Sequence, residues 1–330
     1  MNVLANFEMA EGQNLADLLK EGGYGNNEFL EKLPLSQKKR VCALKKIQLA
    51  SIEVEAEFYE RVHQLEKEFE AKFNQFYDQR KKIVAGTYEP TDAETDLPLI
   101  HGLEEEDLKR IYDASEPDNG EKGVVDFWLQ VLRGSDVISD MIQEHDEPIL
   151  KHLIDVTSSV EMSPPGFTLY FHFSPNSYFK NTVLKKHYEL HMKPESDDPF
   201  EYDGPTVFKA TGDEIQWEEG KNITKKVVKK KAKKGANAGK FLTKTVDNES
   251  FFNFFSPPQV EEQNEDDEND EDFAKGELQR ADFEVGQVIR DHIIPRAVLF
   301  FTGEADLGDD MLDFGDEEDE DDISDEEDDE

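Results

Sequence analysis

Between Ser36 and Ala85 lie fifty residues with neither a glycine nor a proline. Nothing in that stretch breaks a helix. Apolar side chains recur at Leu44, Ile47, Val54, Phe58, Val62, Leu65, Phe69, Phe73, Phe76 and Ile83, mostly at steps of three and four, the helical period. Fifty residues at about 1.5 Å each make a rod of roughly 75 Å, far longer than an ordinary globular helix. Gly86 stops it. Lys38, Lys39 and Arg40 run against the helix dipole in the first turn, so the start is fixed only to within a turn or more of Ser36.

A stripe of this length exposes itself unless something covers it. Either the downstream chain packs along it, or a second copy of the same helix does. Each Leu or Phe contributes about 1.5–3 kcal/mol when buried, and so many positions favour a homodimer. Its interface would be Leu44, Ile47, Val54, Phe58, Val62, Leu65, Phe69, Phe73 and Phe76. Leu44, Ile47, Leu49 and Ile52 also have the spacing of an export signal, but they belong to the same stripe and packing is the preferred reading.

Charge constrains the rest. The net charge is −40, and Glu304 to Glu330 holds 18 Asp or Glu among 27 residues with no Lys or Arg. A second run, Glu261 to Asp272, has 9 acids in 12 and includes Glu261, Glu262 and Glu265. Such segments repel themselves and have little to bury, so a disordered acidic C-terminal tail over 305–330 is expected. A polyanion attracts polycations and disfavours direct contact with nucleic acid or an anionic membrane. A binder of basic proteins, among which histones are abundant, is therefore the first functional class. Within the tail, Met311, Leu312 and Phe314 interrupt the acids beside Asp309 and Asp310, a recipe of long-range attraction plus an aromatic anchor for basic cargo.

The single Cys42 excludes a disulfide framework and any cysteine-based metal site. With no signal peptide and no long apolar run, the chain reads as intracellular and soluble. Residues 1–34 read as a flexible segment, with a short helix suggested at Leu15–Leu19; 35–86 form the long helix, and 87–304 a second domain. After a polar stretch from Thr87 to Gly123, two short helices are expected about Gly134–Ser135, with Asp136 as N-cap. Asp146 is expected to cap another helix running through Val156, with Pro148 in its first turn. The period then changes to two at Phe167, Leu169, Phe171 and Phe173, and Leu184 to Met192 alternates with Lys186 interrupting its apolar face. Thr206–Ala210 is a third strand, 215–246 a long hairpin, and Leu278–Ile294 and Ala297–Phe301 are helices. The fold class is α+β: a long N-terminal dimerisation helix, then an antiparallel-sheet domain packed with helices.

Lys225, Lys226, Lys229, Lys230, Lys231, Lys233 and Lys234 cluster on the hairpin, where 221–244 holds ten Lys and no acid. They read as a nuclear-import signal, or as a solvated edge whose lysines block aggregation; the two are compatible. The run Phe251-Phe252-Asn253-Phe254-Phe255 reads as core, with an exposed binding strip as its alternative. No catalytic constellation stands out, and no cofactor is expected. His145 and His152 lie two helical turns apart, roughly 10 Å, with Pro148 between them, a poor metal site.

Four stretches together resemble the nucleosome assembly proteins, a family of histone chaperones related to the template-activating-factor group. They are Ala43 to Gln48, His145 to Leu153, Ser250 to Pro258 (SFFNFFSPP) and Ile293 to Leu299. The likeness runs from about residue 35 to 304. It implies an antiparallel homodimer through the long helix, a dome-shaped domain with an acidic concave underside that receives core histones, and the basic hairpin as ligand of a nuclear import receptor. By position it carries the histone-contact surface onto Asp213, Glu214, Glu218, Glu219, Asp247 and Glu249 and onto the 261–272 run. Shuttling between nucleus and cytoplasm follows from the same resemblance. A different class, suggested by the template-activating-factor group, is an acidic regulatory protein that inhibits or tethers an enzyme.

Overall fold

The computed structural model describes residues 28–115, 120–231, 241–258 and 270–305. The expected helix at Leu15–Leu19, the hairpin tip with Lys233 and Lys234, the acids Glu261, Glu262 and Glu265, and the tail with Asp309, Asp310 and Phe314 lie outside these residues.

Helix α1 (Glu28–Lys32) lies within the segment 1–34 that was expected to be flexible. Pro34 disfavours helical geometry at Leu33 and ends it. Helix α2 (Leu35–Val84) is the unbroken rod, within two residues of its expected bounds at each end. Gly86 stops it in the left-handed region at φ +64°, its N–H donating to Ile83 O at 2.9 Å while Thr87 N–H donates to Lys82 O at 2.9 Å.

The chain divides into two compact units, residues 1–58 with 193–204, and residues 59–192 with 205–330. In the first, Ile52 and Ala56 are buried, and the Lys45 ammonium lies 4.5 Å from the centroid of the Phe200 ring.

The second unit holds the sheet. The stretch 87–123 contains an unexpected helix, α3 (Glu105–Asp113), whose first turn of Glu105, Glu106 and Asp107 suits the positive end of the dipole. Helices α4 (Phe127–Arg133) and α5 (Asp136–Ser139) flank Gly134–Ser135 as expected, but Ser135 occupies the N-cap and Asp136 the first turn. Helix α6 (Glu147–Leu150) has Pro148 in its first turn and ends six residues before Val156. The chain turns instead into β1 (Leu153–Met162), a strand hidden by the helical spacing of its first residues. The β-branched Ile154, Val156, Thr157 and Val160 decide that competition once a neighbouring strand is available.

Strands β2 (Pro165–Phe173), β3 (Val183–His191) and β4 (Thr206–Gly212) complete an antiparallel sheet in the order β1-β2-β3-β4. Register places Val156 opposite Phe171 and Val160 opposite Phe167, and on the other side Leu184 opposite Phe171 and Tyr188 opposite Phe167. One face of β1, β2 and β3 is therefore buried, with Phe167, Leu169, Phe171, Leu184 and Tyr188 fully enclosed, while β4 at the edge buries only Ala210. Lys186 does not interrupt that face. It is fully buried, and its ammonium donates to Asp282 at 2.6 Å and to Phe254 O at 2.6 Å.

The hairpin is shorter than expected: only β5 (Lys225–Lys231) and β6 (Phe241–Asp247) pair, as a separate two-stranded sheet. Residues 215–224 run as a loop, with Trp217 bridged to Phe179. The phenylalanine run coils into a 3₁₀ turn (Phe251–Phe255) capped by Ser250, burying four rings and exposing Asn253. Phe171 meets Phe255 edge-on at 5.2 Å and Phe251 at 6.0 Å. Helix α7 (Asp270–Gln287) begins eight residues before the expected Leu278, inside the acidic run, and passes into a π turn (Val288–Ile293) before Pro295. Helix α8 (Ala297–Thr302) ends at Gly303, φ +75°.

Candidate functional site

The long helix is inverted relative to a simple amphipathic helix on its own domain. Its polar face, in the second unit, is the one that meets the body. Glu70 accepts the Val160 backbone N–H at 2.8 Å, Lys81 pairs with Asp155 at 3.3 Å, and Glu66 pairs with Arg290. His63 is buried and donates from Nε2 to the Glu161 carbonyl at 2.8 Å. The Arg80 guanidinium bonds Ile294 O and stacks 5.1 Å from the centroid of Trp128. The apolar stripe is exposed within each unit. Leu44, Ile47, Val54, Phe58, Leu65, Phe69, Phe73 and Phe76 are each between 40% and 67% exposed, and Val62 is half-buried. Phe69 and Phe73 lie 6.4 Å apart along it, and Phe73 stacks at 6.4 Å on Tyr77, which packs against the core. Side chains of this kind, uncovered over about nine turns, suit a second apolar helix.

Asp213, Glu214, Glu218 and Glu219 follow β4 on one loop, tied beside 176–181 by Glu218 N–H to Tyr178 O at 2.8 Å and Asn181 to Glu214 O at 3.3 Å. Glu214, Glu218 and Glu219 are exposed. Asp213 accepts the Lys185 N–H at 3.0 Å. Asp247 and Glu249 form a different group at the foot of the hairpin. Asp247 pairs with Lys225, which holds its carboxyl below the usual range, and stays exposed to solvent. Glu249 is exposed, and its carbonyl bonds His145 at 2.9 Å. His152 bonds Ser174 Oγ at 3.2 Å, so the two histidines have separate partners. Among the described residues no group of His, Cys, Asp and Glu is placed to hold a metal ion.

The outer face of the sheet groups Asp213 with residues that the sequence did not assign to a site. Glu161, Thr168, Tyr170, Lys185, His187, Thr211, Gly212 and Asp213 line an open cavity of about 400 Å³. Thr168 donates to Glu161 at 2.6 Å, and His187 lies 2.9 Å from the same carboxylate. The Lys185 ammonium already lies 5.7 Å from the centroid of the Tyr170 ring, so the recess pairs its carboxylates with a cation of its own. Alternation along β1 and β2 would have placed these side chains on the solvent face, had β1 been recognised as a strand.

Lys225 and Lys226 begin β5, with Lys225 more than half exposed. Lys229, Lys230 and Lys231 lie in the same strand.

The family model described as nucleosome assembly protein (NAP) matches residues 39–304. The chain belongs to the nucleosome assembly protein family. Among its relatives, Nucleosome assembly protein 1-like 1 of Xenopus tropicalis is 45% identical over 301 residues, 88% of this chain and 74% of that protein. Nucleosome assembly protein 1-like 4 of Homo sapiens is 41% identical over 310 residues, 88% of this chain and 80% of that protein. The solved structure of Nucleosome Assembly Protein 1 from Plasmodium knowlesi superposes with a TM-score of 0.49 at 27% identity, covering 83% of this chain and all of that one. The family match encloses the long helix from residue 39, the sheet, the hairpin and helix α8, and stops where the acidic tail begins.

Proposed function

We propose that this nucleosome assembly protein family member is a homodimeric histone chaperone that holds core histones off DNA until they are deposited in nucleosomes. Family membership over residues 39–304 carries the reading. The charge distribution supplies its physics. Histones bind DNA indiscriminately by releasing counterions from phosphates, and carboxylates covering the same Lys and Arg suppress those contacts. The dimer forms through the outward stripe of α2, which is apolar and uncovered within one chain.

The folded carboxylates at Asp213, Glu214, Glu218, Glu219, Asp247 and Glu249 orient the cargo, joined by the run 261–272. The tail, with Asp309, Asp310 and Phe314, speeds capture, because exposed charges act over a Debye length of about 8 Å in physiological salt. The lysine-rich hairpin serves an import receptor, which places the protein in both cytoplasm and nucleus. DNA itself is not a ligand of a chain at net charge −40.

The test is kinetic and functional together. Purified full-length chain is expected to bind each histone pair in preference to lysozyme and to assemble nucleosomes on DNA. Deleting 306–330 is expected to slow histone association more than it speeds dissociation. Equal binding of lysozyme ends the chaperone reading. Binding without assembly favours a regulatory role.

A further inference from the structure

The chain leaves the second unit's core at Gly86 and re-enters at Gly123 through one pinched stem. Val124 N–H donates to Val84 O at 3.0 Å. Gly86 and Gly123 both have positive φ, and a Cβ on Gly123 would lie 2.2 Å from Val84 O and 2.6 Å from Gly86 N. Only glycine fits such an approach. Beyond the stem, Tyr88 and Thr91 hold Glu94, with hydroxyl bonds of 2.8 and 2.7 Å to its Oε2. His101 N–H donates to the Glu304 carboxylate at 2.7 Å. The segment is thus held at three places rather than left loose.

Its composition is unlike that of an ordinary connection. Residues 89–107 carry eight Asp or Glu and no Lys or Arg. In the middle stand Leu97, 81% exposed, Leu99, 49% exposed, and Leu103, also exposed. Helix α3 follows with no buried residue and with Tyr112 exposed. Leucines displayed at this density gain nothing from the isolated chain.

We propose that residues 89–107 and the start of α3 form a docking surface for a cationic amphipathic segment of a partner protein. Charge complementarity selects this occupant. Acid blocks on both sides of three leucines match a helix or strand with lysines or arginines flanking an apolar face. The chain's own acidic tail would meet like charge here, and a purely basic tail would leave the leucines wet. The inference extends the proposed function, and it rests on the reading that the cargo is basic: cargo is gripped by apolar contact as well as by charge.

The probe is an 18-residue Leu–Lys peptide with leucines at helical spacing, compared with a scrambled isomer of equal charge, against the full-length protein. The patterned peptide is expected to bind roughly tenfold tighter or more, from burial of two or three leucines. Replacing Leu97, Leu99 and Leu103 together by Ser is expected to erase that preference without moving the thermal unfolding midpoint. Glu104→Gln with Glu105→Gln and Glu106→Gln is expected to weaken both peptides alike and to flatten the salt dependence. Equal binding of the two peptides overturns the proposal, as does a preference that survives the three serines. A preference that disappears only on deleting 306–330 also overturns it, and assigns the contact to the tail. Histone capture measured on the same preparations separates the two readings. If capture persists while peptide preference fails, only the docking surface falls; if both fail, the chaperone reading falls with it.

Discussion

Asp146 and Ser250 meet at 2.6 Å in the core, though 104 residues separate them along the chain. The Asp146 side chain caps nothing in its own helix; it is fully buried and also accepts the N–H groups of Gln143 and Phe251 at 2.9 and 2.8 Å. It clasps the loop before α6 to the phenylalanine turn. Asp146→Ala strands two buried donors and a half-buried one, each costing about 1–3 kcal/mol, and is expected to remove about 3 kcal/mol or more of stability. Asp146→Asn keeps an acceptor and is expected to cost less. Urea unfolding of the two variants checks the order, and equal losses would rule out the clasp.

Lys186 and Asp282 form a buried pair that links β3 to α7. Burial lowers the lysine to about 8 and raises the aspartate above its ordinary value. Removing one partner leaves an unanswered charge, so Lys186→Met is expected to destabilise by about 3–5 kcal/mol. The double variant Lys186→Met, Asp282→Leu is expected to recover most of that loss. Absence of recovery in denaturation curves would show that the charge is not the cause.

His63 gives the molecule a pH dependence. Nε2 faces the Glu161 carbonyl at 2.8 Å and Nδ1 faces Glu66 at 3.5 Å, so only the imidazolium donates to both. The bond to Glu66 raises its pKa, against burial and the nearby Arg290. The native state then holds the proton more tightly than the unfolded chain. The stabilisation is complete below the ordinary value near 6.5 and is lost as pH rises through the raised one. Urea midpoints from about pH 6 to about pH 8 are expected to fall more steeply for the wild type than for His63→Gln. Parallel curves exclude the histidine.

The outward stripe predicts a dissociable dimer. Leu65→Glu with Phe73→Glu places two charges in the apolar seam, and sedimentation is expected to report a monomer of half the mass at micromolar concentration. Both positions are more than half exposed within one chain, so helicity is expected to persist. A variant that still sediments as a dimer would move the interface elsewhere.

What the sequence made legible was governed by local chemistry. Fifty residues without glycine or proline leave α2 no alternative, and Gly86 can end it at positive φ without a Cβ penalty. The alternating Phe167, Leu169, Phe171 and Phe173 needed only a two-residue period. Strand β1 was illegible because Ile149, His152, Leu153 and Val156 keep a helical spacing; pairing with β2 overrides it. Lys186 read as an interruption because its partner Asp282 lies 96 residues away. The leucines of 97–103 were lost in a stretch that averages as polar, and only their exposure draws them out. The acids after β4 could be placed by resemblance, but the pairing of Asp247 with Lys225 depends on hairpin register, which composition does not encode.

The stem at Gly86 and Gly123 closes the excursion at its base, and the His101–Glu304 bond is its further tie to the body. Because Val84 and Val124 are already bonded across the gap, closing a longer or shorter excursion adds little entropy, about 0.6 kcal/mol per doubling of length. The position is therefore a natural graft site, where a foreign recognition sequence could replace residues 88–121 and redirect the molecule to new cargo while its scaffold stays intact.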